Sequence, residues 1–498
     1  MTSQEVKQKI ESIFRIVCFE DLAVMSSNAY NLYRVLNGNR KDYFEPNERL
    51  VFFSKFTPQQ SLIKYLKQIC DLCDISPSFI LLICPHDLQD LIDQVCGTKD
   101  KFTQMLFDVE SSLLEEGYKG FDTICPLPWM HLSIDQQGEI HPCCVNPKKL
   151  GSIIDKDPKD IFTGRELNNL RSSLEKGIKD ESCKKCWTIE QSGGTSHRHQ
   201  MLKWHRQEFL DQLIEHPTIK SLDIKSGNIC NFKCRSCNEY ASSLVAIENL
   251  KKDASTANKS RIKILQHQGR WFELNLNNAH DKVLSLLDNI EQVDFYGGEP
   301  FLSRSLEPML NHLIASGRAS KIRLHFNTNG SIFPETIIKK LQKFYNVDIG
   351  ISVDDIGQRF EIIRGGNWQE ILHNIKLFQQ LDHKKFNIHF YCTVSVLNVL
   401  YLDQLLDYSN SIGMQVLFNF ANKPEYLDIE NLTLDAKQAV LKKYCDSLDC
   451  NLQVIVNKVK NSFGSDGKKF VQETKLLDLL RSQNFKITHY EIATAMGL

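Results

Sequence analysis

Three cysteines spaced C-x3-C-x2-C, Cys230, Cys234 and Cys237, share one short polar stretch, SGNICNFKCRSC (226–237). Thiolates so spaced ligate metal. Structural zinc usually takes four ligands and arrives as two C-x2-C halves, so a lone triad leaves one position for something other than protein. A [4Fe-4S] cube held at three corners has that vacancy on one iron. A partial zinc knuckle is the competing reading.

A second set is complete by itself. Cys125 is followed after twelve residues by Gly138, after four more by Cys143, and after a long gap by Cys183-x2-Cys186. Four thiolates from two hairpin-like pairs satisfy an iron-sulfur cluster or a zinc ion equally. His197 and His199 in SHRHQ flank Arg198 and read as solvated surface residues. The rest of the 16 cysteines do not cluster usefully. Cys70 and Cys73 lie in a helical apolar pattern, Cys84 in an apolar strand and Cys96 at a helix end, where free cysteine packs as a small hydrophobe. Cys445 and Cys450 also read as structural. Disulfides are disfavoured because the chain reads as intracellular.

That reading rests on composition. The N-terminus MTSQEVKQKIES lacks a signal peptide's apolar core, and stretches such as FILLIC are too short to span a bilayer, so a cytoplasmic protein is expected. Lys and Arg total 60 against 61 Asp and Glu, so no net positive field exists to hold nucleic acid or an anionic membrane. At 498 residues the chain has room for about three domains.

The elements that must position the cysteines follow from periodicity. Residues 1–118 open with a helical pattern, EVKQKIESIFRIVCFEDLAVM, then alternate strand RLVFFSK, helix QQSLIKYLKQICDLC, strand FILLICP and helix DLQDLIDQV. This is a small α/β domain with no evident ligand. Residues 119–200 form a cysteine-rich module, with a hairpin around Gln136, Gln137 and Gly138 and a helix in GRELNNLRSSLEKG. From 218 to 422 six strands (SLDIKSG, QVDFYG, KIRLHFNT, VDIGISVD, FNIHFYCTVSV, MQVLFNF) alternate with helices. Nearly continuous apolar strands imply a parallel sheet covered by helices, and six units predict a partial, open β/α barrel. Residues 423–498 read as a helical extension. The triad follows the first barrel strand, at the strand ends where such barrels place their chemistry.

C-x3-C-x2-C after the first strand of a six-unit β/α barrel resembles the radical S-adenosylmethionine (SAM) enzymes. The resemblance implies a [4Fe-4S] cluster on Cys230, Cys234 and Cys237, whose open iron chelates SAM and cleaves it to a 5′-deoxyadenosyl radical. DFYGGEP, after the second strand, looks like the family's motif for the SAM amino group: Gly297 and Gly298 let backbone approach a ligand, Glu299 offers an acceptor and Pro300 stiffens the exit. By itself GGEP is also a turn. Asn327 and Asn329 end the third strand, and Ser352 and Asp354 share one face of the fourth. The resemblance gives the latter pair SAM's ribose; spacing alone equally allows capping. Arg364, in IGQRFEIIRGGNW, falls where related enzymes meet the SAM carboxylate, with a surface arginine as the alternative. Thr393, Val394 and Asn398 of the fifth strand would help hold adenine. The family often has an aromatic residue before the third cysteine; this chain has Ser236.

The second cysteine set resembles the auxiliary-cluster domains called SPASM and twitch. SPASM domains carry further cysteines after the C-x2-C, and WTIEQSGGTSHRHQ has none, so the one-cluster twitch type matches better, placed here ahead of the barrel. The G-x4-C spacing favours Cys143 over Cys144. The implied cofactors are two [4Fe-4S] clusters and SAM. The implied activity is hydrogen abstraction from a substrate, possibly a peptide or protein, with electrons from a flavodoxin or ferredoxin. Radical oxidation or rearrangement of a small molecule such as a sugar or cofactor precursor, and electron transfer without SAM cleavage, are the other readings.

Overall fold

The computed structural model describes residues 123–191, 196–204, 214–225, 227–447 and 449–498, together with three strands nearer the N-terminus. The chain divides into two compact units, Met1–Asp122 with Ser447–Gln453, and Thr123–Asp446 with Val454–Leu498.

In the first unit β1 (Phe14–Cys18), β2 (Arg49–Phe53) and β3 (Ile80–Ile83) form a parallel sheet in sequence order. β2 and β3 fall on the expected runs. β1 does not: the periodicity of EVKQKIESIFRIVCFEDLAVM predicts a helix over its residues FRIVC. Aromatic and β-branched side chains suit a pleated surface, and helical spacing across so short an apolar run is ambiguous. The helices expected around it, with Cys70, Cys73, Cys84 and Cys96, lie outside the described residues.

The second unit is built on a nine-stranded sheet. β7 (Ser221–Ile224), β8 (Gln292–Phe295), β9 (Arg323–Thr328), β10 (Asn346–Ser352), β11 (Phe386–Val394) and β12 (Val416–Phe420) are the six expected strands. All pair in parallel and in sequence order. The right-handed crossovers that parallel connections favour put the covering helices of a sheet in sequence order on one face, leaving the other to face a lumen. The burial of β9 follows this division. Leu324, Phe326 and Thr328 are buried, while Arg323, His325 and Asn327 on the opposite face keep exposure. The sheet stays open, ending at β12, which is the partial barrel expected.

Its other end was not expected. β4 (His131–Ile134) and β5 (Glu139–His141) form the hairpin of the cysteine-rich module, and β6 (Gly151–Ser152) adds an antiparallel third strand. β4 also pairs in parallel with β7, Leu132 opposite Leu222 and Ile134 opposite Ile224. The barrel sheet therefore continues into the module. Nothing local in the sequence announces a pairing between strands 90 residues apart, because register belongs to tertiary structure.

The C-terminal extension is helical, including Leu434–Tyr444 and Lys468–Arg481. Cys445 caps the first of these, still in helical conformation, and is exposed. The side chain of Cys450 lies outside the described residues. Among the described residues no helix is long and apolar enough to cross a membrane.

Phe326, fully buried, stacks between Phe295 and Phe301 at centroid separations of 5.0 and 5.2 Å. Phe326→Ala should destabilise the barrel by about 3–5 kcal/mol, read as a lowered melting temperature.

Candidate functional site

The loop leaving β7 carries Cys230, Cys234 and Cys237, with Cys234 buried and the other two half-buried. Donors converge on the first sulfur: the Phe232 N–H lies 3.4 Å from Cys230 Sγ and Asn329 Nδ2 lies 3.8 Å from it. The Cys237 N–H donates to the Cys234 carbonyl at 3.2 Å, turning the chain so that both thiols share a hydrogen bond. Phe232 seats the loop. Its ring packs where a Cβ on Gly366 would come within 2.1 Å of it, so the glycine is a space requirement.

One buried guanidinium governs the electrostatics. Arg364 acts on all three thiols, and although burial disfavours its charge, Cys234 and Asp354 keep it firmly protonated. The shared hydrogen bond with Cys237, helped by Arg364, brings Cys234 down to about 7, while burial pushes Cys230 up to about 11. The thiolate is the ligating form, so a cation here favours ligation.

Three thiols on one loop suit three-point attachment of a [4Fe-4S] cluster.

The GGEP segment lies directly against this loop. Gly297 and Gly298 take φ of +78° and +56°, and a Cβ on Gly298 would stand 2.4 Å from the Ile229 carbonyl. Only glycine allows that approach. Glu299 is buried, and its carboxylate accepts from Phe301 N–H at 3.1 Å, the Thr328 hydroxyl at 2.8 Å and Asn329 N–H at 2.7 Å. Burial raises its pKa nonetheless. Pro300 begins a short 3-10 turn. Asn327 and Ser352 are half-exposed on the lumen face, where a ligand can reach them. Asp354 is buried and committed, accepting from Thr393 N–H at 2.8 Å and from Arg364 at 2.7 Å. Asn398 donates to the Asp354 carbonyl at 2.8 Å.

The second set also comes together. Cys125, Cys143, Cys183 and Cys186 line one cavity with Asn146 and Trp187, and Asn146 Nδ2 donates to Cys183 Sγ at 3.5 Å. Burial raises Cys125, Cys143 and Cys183, the last to about 11. Cys144 does not line the cavity; it is exposed, 3.8 Å from His197 Nε2. The surface reading of SHRHQ needs correction. Arg198 is buried, bonded to Glu190 at 2.7 Å and to the Ile124 carbonyl at 2.9 Å, and His197 lines the cysteine cavity. The helix His197–Trp204 turns these residues inward, which composition alone does not reveal.

Sequence reasoning also missed what holds the triad loop from behind. Buried Arg235 donates to the Ile362 carbonyl at 3.1 Å and pairs with Asp478 of the C-terminal extension. Arg481 binds Glu248 through two bonds of 2.9 and 2.7 Å. An arginine two residues before the third cysteine was the only local signal.

Arg235→Ala leaves Asp478 without its cation, and should cost about 3–5 kcal/mol, measured by thermal unfolding. Arg481 holds the Glu248 pKa below its usual value against burial. A depressed carboxylate stabilises above its unfolded pKa of about 4.3 and loses that stability as pH falls through the lower folded value. Melting temperature of the native chain should therefore fall more steeply below about pH 4.3 than that of Glu248→Gln.

Residues 224–408 match the Radical SAM superfamily, and residues 125–187 match SPASM, an iron-sulfur cluster-binding domain. No curated protein matches the chain. Among solved structures, anSMEcpe with bound AdoMet is 18% identical with a TM-score of 0.31, over 45% of this chain and 59% of that one. Streptococcus suis SuiB bound to precursor peptide SuiA is 14% identical with a TM-score of 0.30, over 60% of this chain and 62% of that one. The chain thus spans less than two thirds of either, and at these TM-scores neither likeness carries an argument. The cofactors of the two matched domains are [4Fe-4S] clusters and SAM. The chain carries a radical SAM domain and, ahead of it, an iron-sulfur cluster-binding domain of the SPASM type.

Proposed function

We propose that this chain is an enzyme that reductively cleaves SAM at a cluster held by Cys230, Cys234 and Cys237, and that it abstracts hydrogen from a peptide or protein substrate. The observation that supports it most is the glycine turn packed against the cysteine loop, where a Cβ on Gly298 would stand 2.4 Å from the Ile229 carbonyl and the Glu299 N–H donates to that carbonyl at 2.8 Å, closing the turn to any side chain. When bound, the cluster and SAM supply one-electron cleavage and a 5′-deoxyadenosyl radical.

The chain's own residues orient and shield. The backbone of Gly297 and Gly298 receives the methionine amino group, and Asn327 and Ser352 offer polar side chains from the lumen face. Glu299 and Pro300 fix the turn, and Asp354 aims Arg364 at the thiols and the SAM carboxylate. Cys125, Cys143, Cys183 and Cys186 hold the auxiliary cluster, which positions substrate or takes an electron. The β4–β7 pairing gives that module a rigid seat on the barrel. The peptide assignment follows from the auxiliary-cluster domain, with which that substrate class is associated. A flavodoxin or ferredoxin is the matching electron donor.

The test is anaerobic reconstitution with iron and sulfide, followed by SAM and dithionite. The native chain should hold about eight irons and release 5′-deoxyadenosine, against about four irons and none for the Cys230→Ala, Cys234→Ala, Cys237→Ala triple variant. Bound zinc, or intact SAM beside reduced clusters, would leave electron transfer as the better reading.

A further inference from the structure

Three barrel strands carry an aspartate between apolar residues, in SLDI, QVDF and NVDI. A charge there is costly unless the position does something. Register brings the three into one row. Asp223 of β7 stands opposite Asp294 of β8, Asp294 opposite His325 of β9, and His325 opposite Asp348 of β10. All belong to the lumen face, since Val293, Phe295, Leu324 and Phe326 alternate with them and are buried.

Most members of the row are paired. Asp223 lies 3.3 Å from His131, and Asp348 binds His325 and lies 3.4 Å from His389. Asp294 differs. Its hydrogen-bond partner is Gln292 Nε2, at 2.9 Å, and among the described residues no Lys, Arg or His nitrogen lies within 4.0 Å of it. One further position on this face holds unspent polar capacity: His389 Nε2 has no hydrogen-bond partner, although the residue is only 2% exposed. Buried polar groups are nearly always satisfied, so such a vacancy calls for a ligand.

We propose that this row is the receptor for a cationic group of the substrate, an alkylammonium or guanidinium side chain, with Asp294 as the carboxylate that pairs with it. The proposal deepens the radical SAM reading and rests on it for the word substrate; the receptor itself does not depend on SAM chemistry. Asp294 lies on β8 two residues from Tyr296 and three from Gly297, so a side chain held there lies beneath the GGEP turn, on the lumen side.

Protonation adds a signature. Burial and then Asp223 push Asp294 up to about 7, so an arriving cation displaces a proton and binds more tightly as pH rises. The other groups facing it are Asp223 and His131 from β7 and β4, His325 from β9, Tyr296 from its own strand, Tyr391 from β11, and Cys144.

Calorimetric titration of the reconstituted holoprotein with Nα-acetyl-lysinamide, Nα-acetyl-argininamide and uncharged Nα-acetyl-norleucinamide tests this without turnover. One of the two cations should bind at least about tenfold more tightly than the norleucine amide, and more tightly at about pH 8 than at about pH 6. Asp294→Asn should abolish the preference while SAM affinity stays unchanged, which also reports that the variant is folded; Asp294→Ser serves if the Asn variant is not. Equal or undetectable binding of the three amides by the native chain, or a preference retained in the variants, overturns the proposal. Loss of SAM cleavage in the iron assay would instead overturn the function reading, and the two failures are separate.

Discussion

Gathering three thiolates on one loop concentrates negative charge where burial makes charge expensive, and the rest of the site is arranged around that cost. Arg364 supplies the compensating cation. A buried guanidinium is itself unstable without partners, so Asp354 pairs with it at 2.7 Å and is in turn fixed by Thr393 and Asn398. Four segments distant in sequence are thereby tied to one electrostatic requirement.

Geometry is held as tightly as charge. Backbone approaches that exclude any side chain fix Gly298 against Ile229, and the absence of a Cβ at Gly366 lets Phe232 sit under the loop. Behind it, Arg235 and Arg481 reach acidic partners across the boundary between barrel and C-terminal extension. Pairs of this kind fix position more than they add stability, because desolvation offsets much of the Coulombic gain. A cluster-binding loop gains from that rigidity, since it keeps the three thiols together on one side of the site.

The second consequence is architectural. Through the β4–β7 pairing the hairpin that carries Cys125 and Cys143 at its flanks becomes part of the barrel sheet. Two cysteine sites that look like separate modules along the chain share a continuous set of backbone hydrogen bonds, which limits their relative motion. The same sheet carries the row of ionisable residues on its open face.

The sequence by itself determined what depends on spacing and period. C-x3-C-x2-C, the four auxiliary cysteines, GGEP and the six apolar strands are local patterns, and each is written in contiguous residues. It misjudged FRIVC, whose few apolar residues fit two periods. Tertiary structure alone decided which distant groups meet. It brought Arg235 to Asp478, turned Arg198 into the interior, joined β4 to β7, and aligned Asp223, Asp294, His325 and Asp348 into one row. The aspartates in SLDI, QVDF and NVDI were visible all along, but only the register of the sheet makes them neighbours, because pairing between strands depends on every residue that packs beneath them.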